Sequence, residues 1–207
     1  QDSKRHKEFK NWCDQQFWLE DHVSFTELRR QNQDLPWWKW PKHLASHNPL
    51  SLLLWKRDNQ EKLLEHRLIQ WHLDRQWKSL RRLARELGVL LFGDLPFYVS
   101  RDSADVWSSR SLFSIRPGGE LDIQSGVPPD YFSDTGQLWG TPVYRWDIHR
   151  NTHFEWWRRR FARQWQQVDL LRLDHFRALE SYWAVPGDKE TAELGNWRPS
   201  PGYELLR

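Results

Sequence analysis

From Asp2 to about Gln31, apolar residues recur at steps of mostly three to five among charged neighbours: Phe9, Trp12, Phe17, Leu19, Val23, Phe25 and Leu28. That spacing predicts helix and leaves room for two. The run LPWWKWP at 35–41 interrupts it, because prolines at both ends lack an amide donor and push the preceding residue toward extended backbone. Asn48-Pro49 opens a new unit, with its first turns expected over Ser51–Asp58. Residues 61–87 then read as one long amphipathic helix, with Leu64, Leu68, Trp71, Leu73, Trp77, Leu80, Leu83 and Leu87 on or near one face. Gly88 stands where a C-terminal cap belongs. The following GVLLFGDLPFYVS predicts a buried apolar strand at 89–92, ending in Gly93-Asp94 and turning at Pro96.

Residues from about Ser100 to Trp146 show neither period. They are rich in Pro, Gly, Tyr, Phe, Trp and Asp, and a loop this long inside a compact domain is functional or disordered. Its aromatics favour an ordered lid or rim. A helix is expected over about 151–167, carrying Phe154, Trp157, Phe161 and Trp165. It feeds the β-prone run VDLLRLDHFR at 168–177. A further strand is expected at Ser181–Val185, with loop from Pro186 onward and no evident C-terminal element. Strand and helix alternating, with an acid at the C-terminal end of each strand, is the grammar of an α/β barrel or a doubly wound sheet. No GxGxxG opens a helix, so a dinucleotide site is not indicated.

Composition narrows the classes. Thirty-one basic residues stand against 28 acidic ones, and neither a basic stripe nor a zinc-finger or RNP-like motif is present, so nucleic acid is not an expected partner. No apolar run reaches the ~18 residues of a membrane span. One cysteine, Cys13, excludes an internal disulfide framework and fits a reducing, cytoplasmic setting. With no methionine, the chain is expected to be an internal piece of a longer protein. Sixteen tryptophans are the compositional outlier. They suit core packing and also stacking on sugar rings.

The strongest chemical signal lies in the run at 168–177. Alternate strand residues share a face, so Arg172 and Asp174 project together, away from Leu171 and Leu173. A guanidinium a few Å away lowers a carboxyl pKa by roughly 1–3 units. Asp174 is therefore expected to be a standing carboxylate, fit to attack or to stabilise a cation. The alternative is an ordinary ion pair at a strand end. Asp102 and Asp105 in RDSADVW are expected at a helix start. Asp147, His149 and His153 suggest metal ligation, but the two histidines are four apart on a helix edge with no third ligand nearby, so no metal is expected there. Arg158-Arg159-Arg160 reads as the solvated face of a helix.

Three motifs, GDLPFYVSRDSADVW, GVPPDYFSDTGQLWGTPVYRW and LLRLDHFRALESYWAVPG, together resemble the 4-α-glucanotransferases of glycoside hydrolase family 77, also called amylomaltases or disproportionating enzymes. The resemblance runs from Trp40-Pro41 to the end of the chain. It implies part of a (β/α)8 TIM barrel with helical and loop-rich inserted subdomains, divided as a helical subdomain at 1–60 and partial barrel at 61–207. The implied activity transfers segments of α-1,4-glucan to an acceptor glucan or glucose, with retention and with no cofactor or metal. Matched by position, Asp174 is the nucleophile and Arg172 the arginine that keeps it ionised. His175 contacts the sugar bound at the site of attack, and Asp94 belongs to the same subsite. Asp130, Tyr131, Phe132, Ser133, Asp134, Gln137 and Trp139 match a mobile loop that covers the acceptor side. The resemblance puts the general acid/base glutamate and a stabilising aspartate beyond Arg207, and a donor-site tyrosine before Gln1, so these residues alone are expected to be inactive. Two rivals remain open: an α-glucan hydrolase of the amylase clan, and a non-catalytic starch-binding piece.

Overall fold

The apolar positions of the first thirty residues form two helices. A computed structural model describes residues 2–207 and gives α1 (Asp2–Gln15), α2 (Leu19–Gln31), α3 (Lys42–Ala45), α4 (Pro49–Asp58) and α5 (Gln60–Glu86) as one unit ending at Val89. Between the prolines of LPWWKWP lies only a 3-10 turn, Trp37–Lys39. Asn48 starts α4 as expected, its Oδ1 accepting from the Ser51 amide at 3.0 Å with Pro49 in the first turn.

The core of this unit is Trp12, Leu19, Val23, Leu63 and Trp71. Polar clamps join the same helices. Trp12 Nε1 donates to the buried Asp74 at 2.9 Å, and Arg67 forks onto Glu20 at 2.7 and 2.8 Å. Glu27 is fully buried and bonded to Arg30, Gln31 and His66. The Arg30 guanidinium, outweighing burial, holds its carboxyl at about 2. These contacts tie α5 to α1 and α2, so the compact unit closes after Val89, and a division at 60/61 cuts through it. The inward side of α5 also differs from expectation. Leu63, Trp71, Asp74 and Ala84 are buried, while Leu64, Leu73, Leu80, Leu83 and Leu87 are exposed.

The second unit, Leu90 to Arg207, holds two sheets. β1 (Phe92–Leu95) pairs in parallel with β4 (Leu170–Leu173). β2 (Ile123–Val127), β3 (Gln137–Pro142), β5 (Ser181–Pro186) and β6 (Asn196–Pro199) form an antiparallel sheet in the order β3-β2-β5-β6. The irregular excursion at 100–146 thus holds α6 (Ala104–Ser108) and then two of the four strands of this sheet. Its strands are short and polar, and β2, besides pairing with β3, pairs with β5 some sixty positions later, which hides the sheet from a local pattern. The helix expected at 151–167 is α8 (Glu155–Trp165), and a separate short helix, α7 (Trp146–Asn151), precedes it, the two parted where His153 and Phe154 turn left-handed. The tail also carries order beyond Pro186: β6 and α9 (Gly202–Leu205). Asp105 lies in the first turn of α6 as expected, and the cap itself is Ser103, which accepts from the Val106 amide. Among the described residues no helix is long and apolar enough to cross a membrane.

Aromatic rings fill the space between the two sheets' connecting segments. Tyr144 lies within 5.0–5.7 Å, centroid to centroid, of Phe97, Phe113, Trp146, Trp156 and Trp157. His149 is sealed in this nest against Tyr144 and Trp146, and burial pushes its imidazole down to about 4. Unfolded chain takes up the proton near the ordinary 6.5, whereas the folded chain takes it up only near 4. Stability is therefore expected to fall by up to about 3 kcal/mol as pH drops through that window, and to be insensitive to this group above it. Urea denaturation from pH 7 to 4 checks this, and His149→Phe is expected to flatten the acid limb.

Candidate active site

The site begins with the register of the two parallel strands. Asp94, third residue of β1, stands opposite Arg172, third residue of β4. Asp94 therefore lies within the strand, not at its end: β1 covers 92–95 where sequence predicts 89–92, because pairing with β4 rather than local apolarity sets its limits. Two features hold the register. A methyl group on Gly93 would stand only 2.8 Å from Cγ1 of the buried Val168, so the bare glycine lets the chain entering β4 press against β1. At the far end the Asp174 amide donates to the Leu95 carbonyl at 2.9 Å.

On this frame the Arg172 guanidinium forks onto Asp94, Nε to Oδ1 at 2.9 Å and Nη2 to Oδ2 at 2.5 Å. The same Nη2 lies 3.3 Å from Asp174 Oδ1. The guanidinium expected beside Asp174 is there, but its bidentate contact is with Asp94, whose carboxyl it holds below its usual range, while Arg172 is itself pushed up. The reason is geometric. Cross-strand opposition gives the planar guanidinium two oxygens in its own plane, whereas Asp174 follows β4 at the turn and offers one. All three side chains are 55% exposed, so the Asp174 carboxylate is open to a ligand.

His175 follows with a left-handed backbone, φ 52°, and its carbonyl starts the 3-10 turn Phe176–Leu179. Non-glycine residues seldom adopt this conformation, and it clusters at functional sites. Its ring lies edge-on to Trp139 at 4.8 Å and near Tyr98 at 6.1 Å. Burial lowers its pKa, against the opposing pull of Asp174, and Nε2 is buried without a hydrogen-bond partner. Trp139 projects from β3, its indole N–H donating to Gln137 Oε1 at 3.2 Å.

The other loop residues lie on a tight turn. Asp130 Oδ1 accepts from the Phe132 and Ser133 amides at 2.9 and 3.0 Å, and Ser133 Oγ donates to the Gly136 carbonyl. The turn closes back through Gly136 (φ 70°), where a Cβ would meet the Val127 carbonyl oxygen at 2.3 Å. Tyr131 and Phe132 stand at its tip, 96% and 89% exposed, with Asp134 exposed beside them. Asp130 and Ser133 thus build the turn that presents the two rings. The structure brings Asp94, Arg172, Asp174, His175 and Trp139 into one contact chain, and the tip closes its hydrogen bonds on itself.

Two residues of this site escaped sequence reading. Tyr98 stacks on Tyr144 (5.9 Å, 13° between planes) and touches both Trp139 and His175, and burial pushes its phenol up. Its place four residues after Asp94, in the motif GDLPFYVS, was the available signal. Arg160 is not a solvated helix charge. It donates to the Pro96 and Phe97 carbonyls at 2.6 and 3.0 Å and lies over Trp156 and Trp157, pinning the turn that carries Tyr98.

The second unit is a mixed α/β fold that places a carboxylate–guanidinium–carboxylate cluster on and just after two adjacent parallel strands, beside aromatic rings. The chain belongs to glycoside hydrolase family 77, the 4-α-glucanotransferase family, whose model matches residues 1–207. It is 42% identical to the 4-α-glucanotransferase of Synechocystis sp., covering 97% of this chain and 40% of that protein. The Thermus thermophilus 4-α-glucanotransferase is 39% identical over 92% of this chain and 38% of its own length. Among solved structures, an amylomaltase from Streptococcus agalactiae in complex with acarbose superposes with a TM-score of 0.93 at 32% identity, over 98% of this chain and 41% of that one. The chain thus spans about two fifths of the length of these relatives.

Replacing Gly93 by alanine is expected to cost about 1–3 kcal/mol by overpacking against Val168. Val168→Ala in the same chain is expected to recover part of it. Urea denaturation of the two single variants and the double variant gives the coupling, and additive losses would remove this contact from the account.

Proposed function

We propose that the whole protein is a 4-α-glucanotransferase acting by retaining double displacement, with Asp174 as nucleophile in a (β/α)8 barrel of which β1 and β4 are adjacent strands. The observation that carries this is the open Asp174 carboxylate at the end of β4, 3.3 Å from a guanidinium that Asp94 fixes from the other side. In the first step an Asp174 oxygen bonds to the anomeric carbon of the donor glucan. The glycosidic C–O bond breaks, and the departing oxygen takes a proton from a second carboxyl. In the second step an acceptor sugar hydroxyl attacks that carbon, gives its proton to the same carboxyl and releases Asp174. Retaining enzymes place the two groups about 5–5.5 Å apart. The second carboxyl is assigned to the rest of the whole protein. Glu180, the acid nearest in the motif, is exposed and bonded to Ser181, so residues 1–207 by themselves are expected not to turn over substrate.

The anchored guanidinium serves Asp174 by keeping a positive charge beside it without moving. His175, its ring set against Trp139 and Tyr98 directly after Asp174, is assigned to the sugar subsite. Transfer rather than hydrolysis requires the glycosyl-enzyme to meet a sugar before water, and an aromatic cover favours that. The tip rings of Tyr131 and Phe132, held outward by Asp130, are assigned this role. The comparisons favour transfer over the hydrolase and binding-only readings, since the matched relatives are named 4-α-glucanotransferases.

In the full-length protein, Asp174→Asn is expected to abolish maltotriose disproportionation, a loss of at least a thousandfold by product chromatography. A fluorinated glycosyl donor is expected to leave its adduct on Asp174 in peptide mass spectra, and an adduct on another residue refutes the assignment. Tyr131→Ala and Phe132→Ala are expected to raise free glucose relative to transfer products severalfold. An unchanged ratio in both would take the cover out of the mechanism.

A further inference from the structure

Asp169 precedes β4 and lies five residues before the proposed nucleophile, at the opposite end of the strand. Both polar groups of the Leu91 peptide are taken there. The Leu91 amide donates to the Asp169 carboxylate, Oδ2, at 3.1 Å. The Leu91 carbonyl accepts from the Asp169 and Leu170 amides at 2.9 and 3.1 Å. Asp169 thereby grips one peptide of the neighbouring strand from both sides, through its own backbone and its own side chain. At the other end, Asp174 N–H reaches the Leu95 carbonyl. The four ladder pairs Phe92–Leu170, Gly93–Leu171, Asp94–Arg172 and Leu95–Leu173 lie between these two ties.

The side chain adds a tie outside the ladder. A parallel ladder repeats every two residues along the strand, and so do its amides, so hydrogen bonds alone do not choose between registers two apart. The seat of Val168 against the bare Gly93 makes that choice, and the Asp169 carboxylate, next to Val168, holds the chosen alignment where the pair begins. The register matters because the guanidinium fork exists only when Arg172 faces Asp94, and the fork is what leaves Nη2 beside Asp174.

We propose that Asp169 is a positioning residue for the transfer reaction: its carboxylate, by clamping the Leu91 amide, holds the strand pair in the alignment that sets Arg172 against Asp94 and so steadies the Asp174 carboxylate for attack. This rests on Asp174 being the nucleophile. A displacement of about 1 Å at reacting atoms costs on the order of a hundredfold in rate. Loss of the clamp is therefore expected to appear in the chemical step rather than in substrate affinity.

The test uses the full-length protein with Asp169→Ala and Asp169→Asn, and follows two quantities: the rate of adduct formation on Asp174 with a fluorinated glycosyl donor, and KM for maltotriose. Alanine leaves the Leu91 amide without its acceptor, and is expected to slow adduct formation and kcat at least tenfold with KM within twofold. Asparagine keeps an oxygen at the same reach and is expected to return both rates to within threefold of wild type. Equal rates in all three proteins overturn the proposal, as does a loss in Asp169→Ala that asparagine does not rescue or that appears in KM alone. If Asp169→Ala does not fold, Asp169→Glu replaces it. Moving the oxygen by one methylene is expected to cost rate at constant KM, and Glu and Asn of equal rate overturn the clamp. A wild-type protein that forms no adduct on Asp174 overturns the nucleophile assignment instead, and with it any clamp of that nucleophile.

Discussion

The guanidinium of Arg172 bridges two parallel strands, and the arrangement of the site follows from what it takes to keep that bridge in place. A planar five-donor cation gains most when two acceptor oxygens lie in its plane. Asp94 supplies them from directly across the ladder. The remaining edge of the cation faces Asp174, one position beyond the strand. In a solvated setting such a pair contributes little to folding. Its consequence is positional: a charge that would otherwise sweep through solvent on a flexible stem is held at one point beside a carboxylate.

Holding that point requires the backbone beneath it to be equally fixed, and the second unit does this by close approach and by ring packing. Gly93 lets Val168 seat against β1. Beyond Asp94 the chain turns at Pro96, and both carbonyls of Pro96 and Phe97 are held by Arg160. The Tyr144 hydroxyl donates to the same Phe97 carbonyl at 2.6 Å. Tyr98, next in the chain, meets Trp139 from β3 and His175 from the turn after Asp174. Three segments distant in sequence therefore converge through aromatic contacts, each of which adds about 0.5–1.5 kcal/mol beyond its buried area.

The helical unit solves a different problem with related means. It buries an acid, Glu27, and leaves another, Asp74, almost buried. Such groups are costly unless donors compensate them. Glu27 has three partners across α2 and α5, and Asp74 receives the Trp12 indole and the Lys78 ammonium on Oδ2. The bonds from Glu27 to His66 and from Trp12 to Asp74 cross between helices beside the apolar core of Trp12, Leu19, Val23, Leu63 and Trp71, while several leucines of α5 remain outside it.

Local pattern was enough for much of this. Period, proline and glycine placement disclosed α1, α2, α4, α5 and the parallel strand carrying Arg172, because helices and caps are decided by residues three or four apart. The spacing of Arg172 and Asp174, with the motifs around Asp94 and Tyr131, was legible for the same reason: those groups are close along the chain. What lay beyond the sequence was every decision made by a distant partner. Asp94 rather than Asp174 takes the guanidinium fork, and Arg160 turns inward to carbonyls some sixty residues away. The 100–146 segment pairs with β5 as a sheet. A side chain chooses among the partners that folding brings within about 3 Å, and only the tertiary structure says which those are.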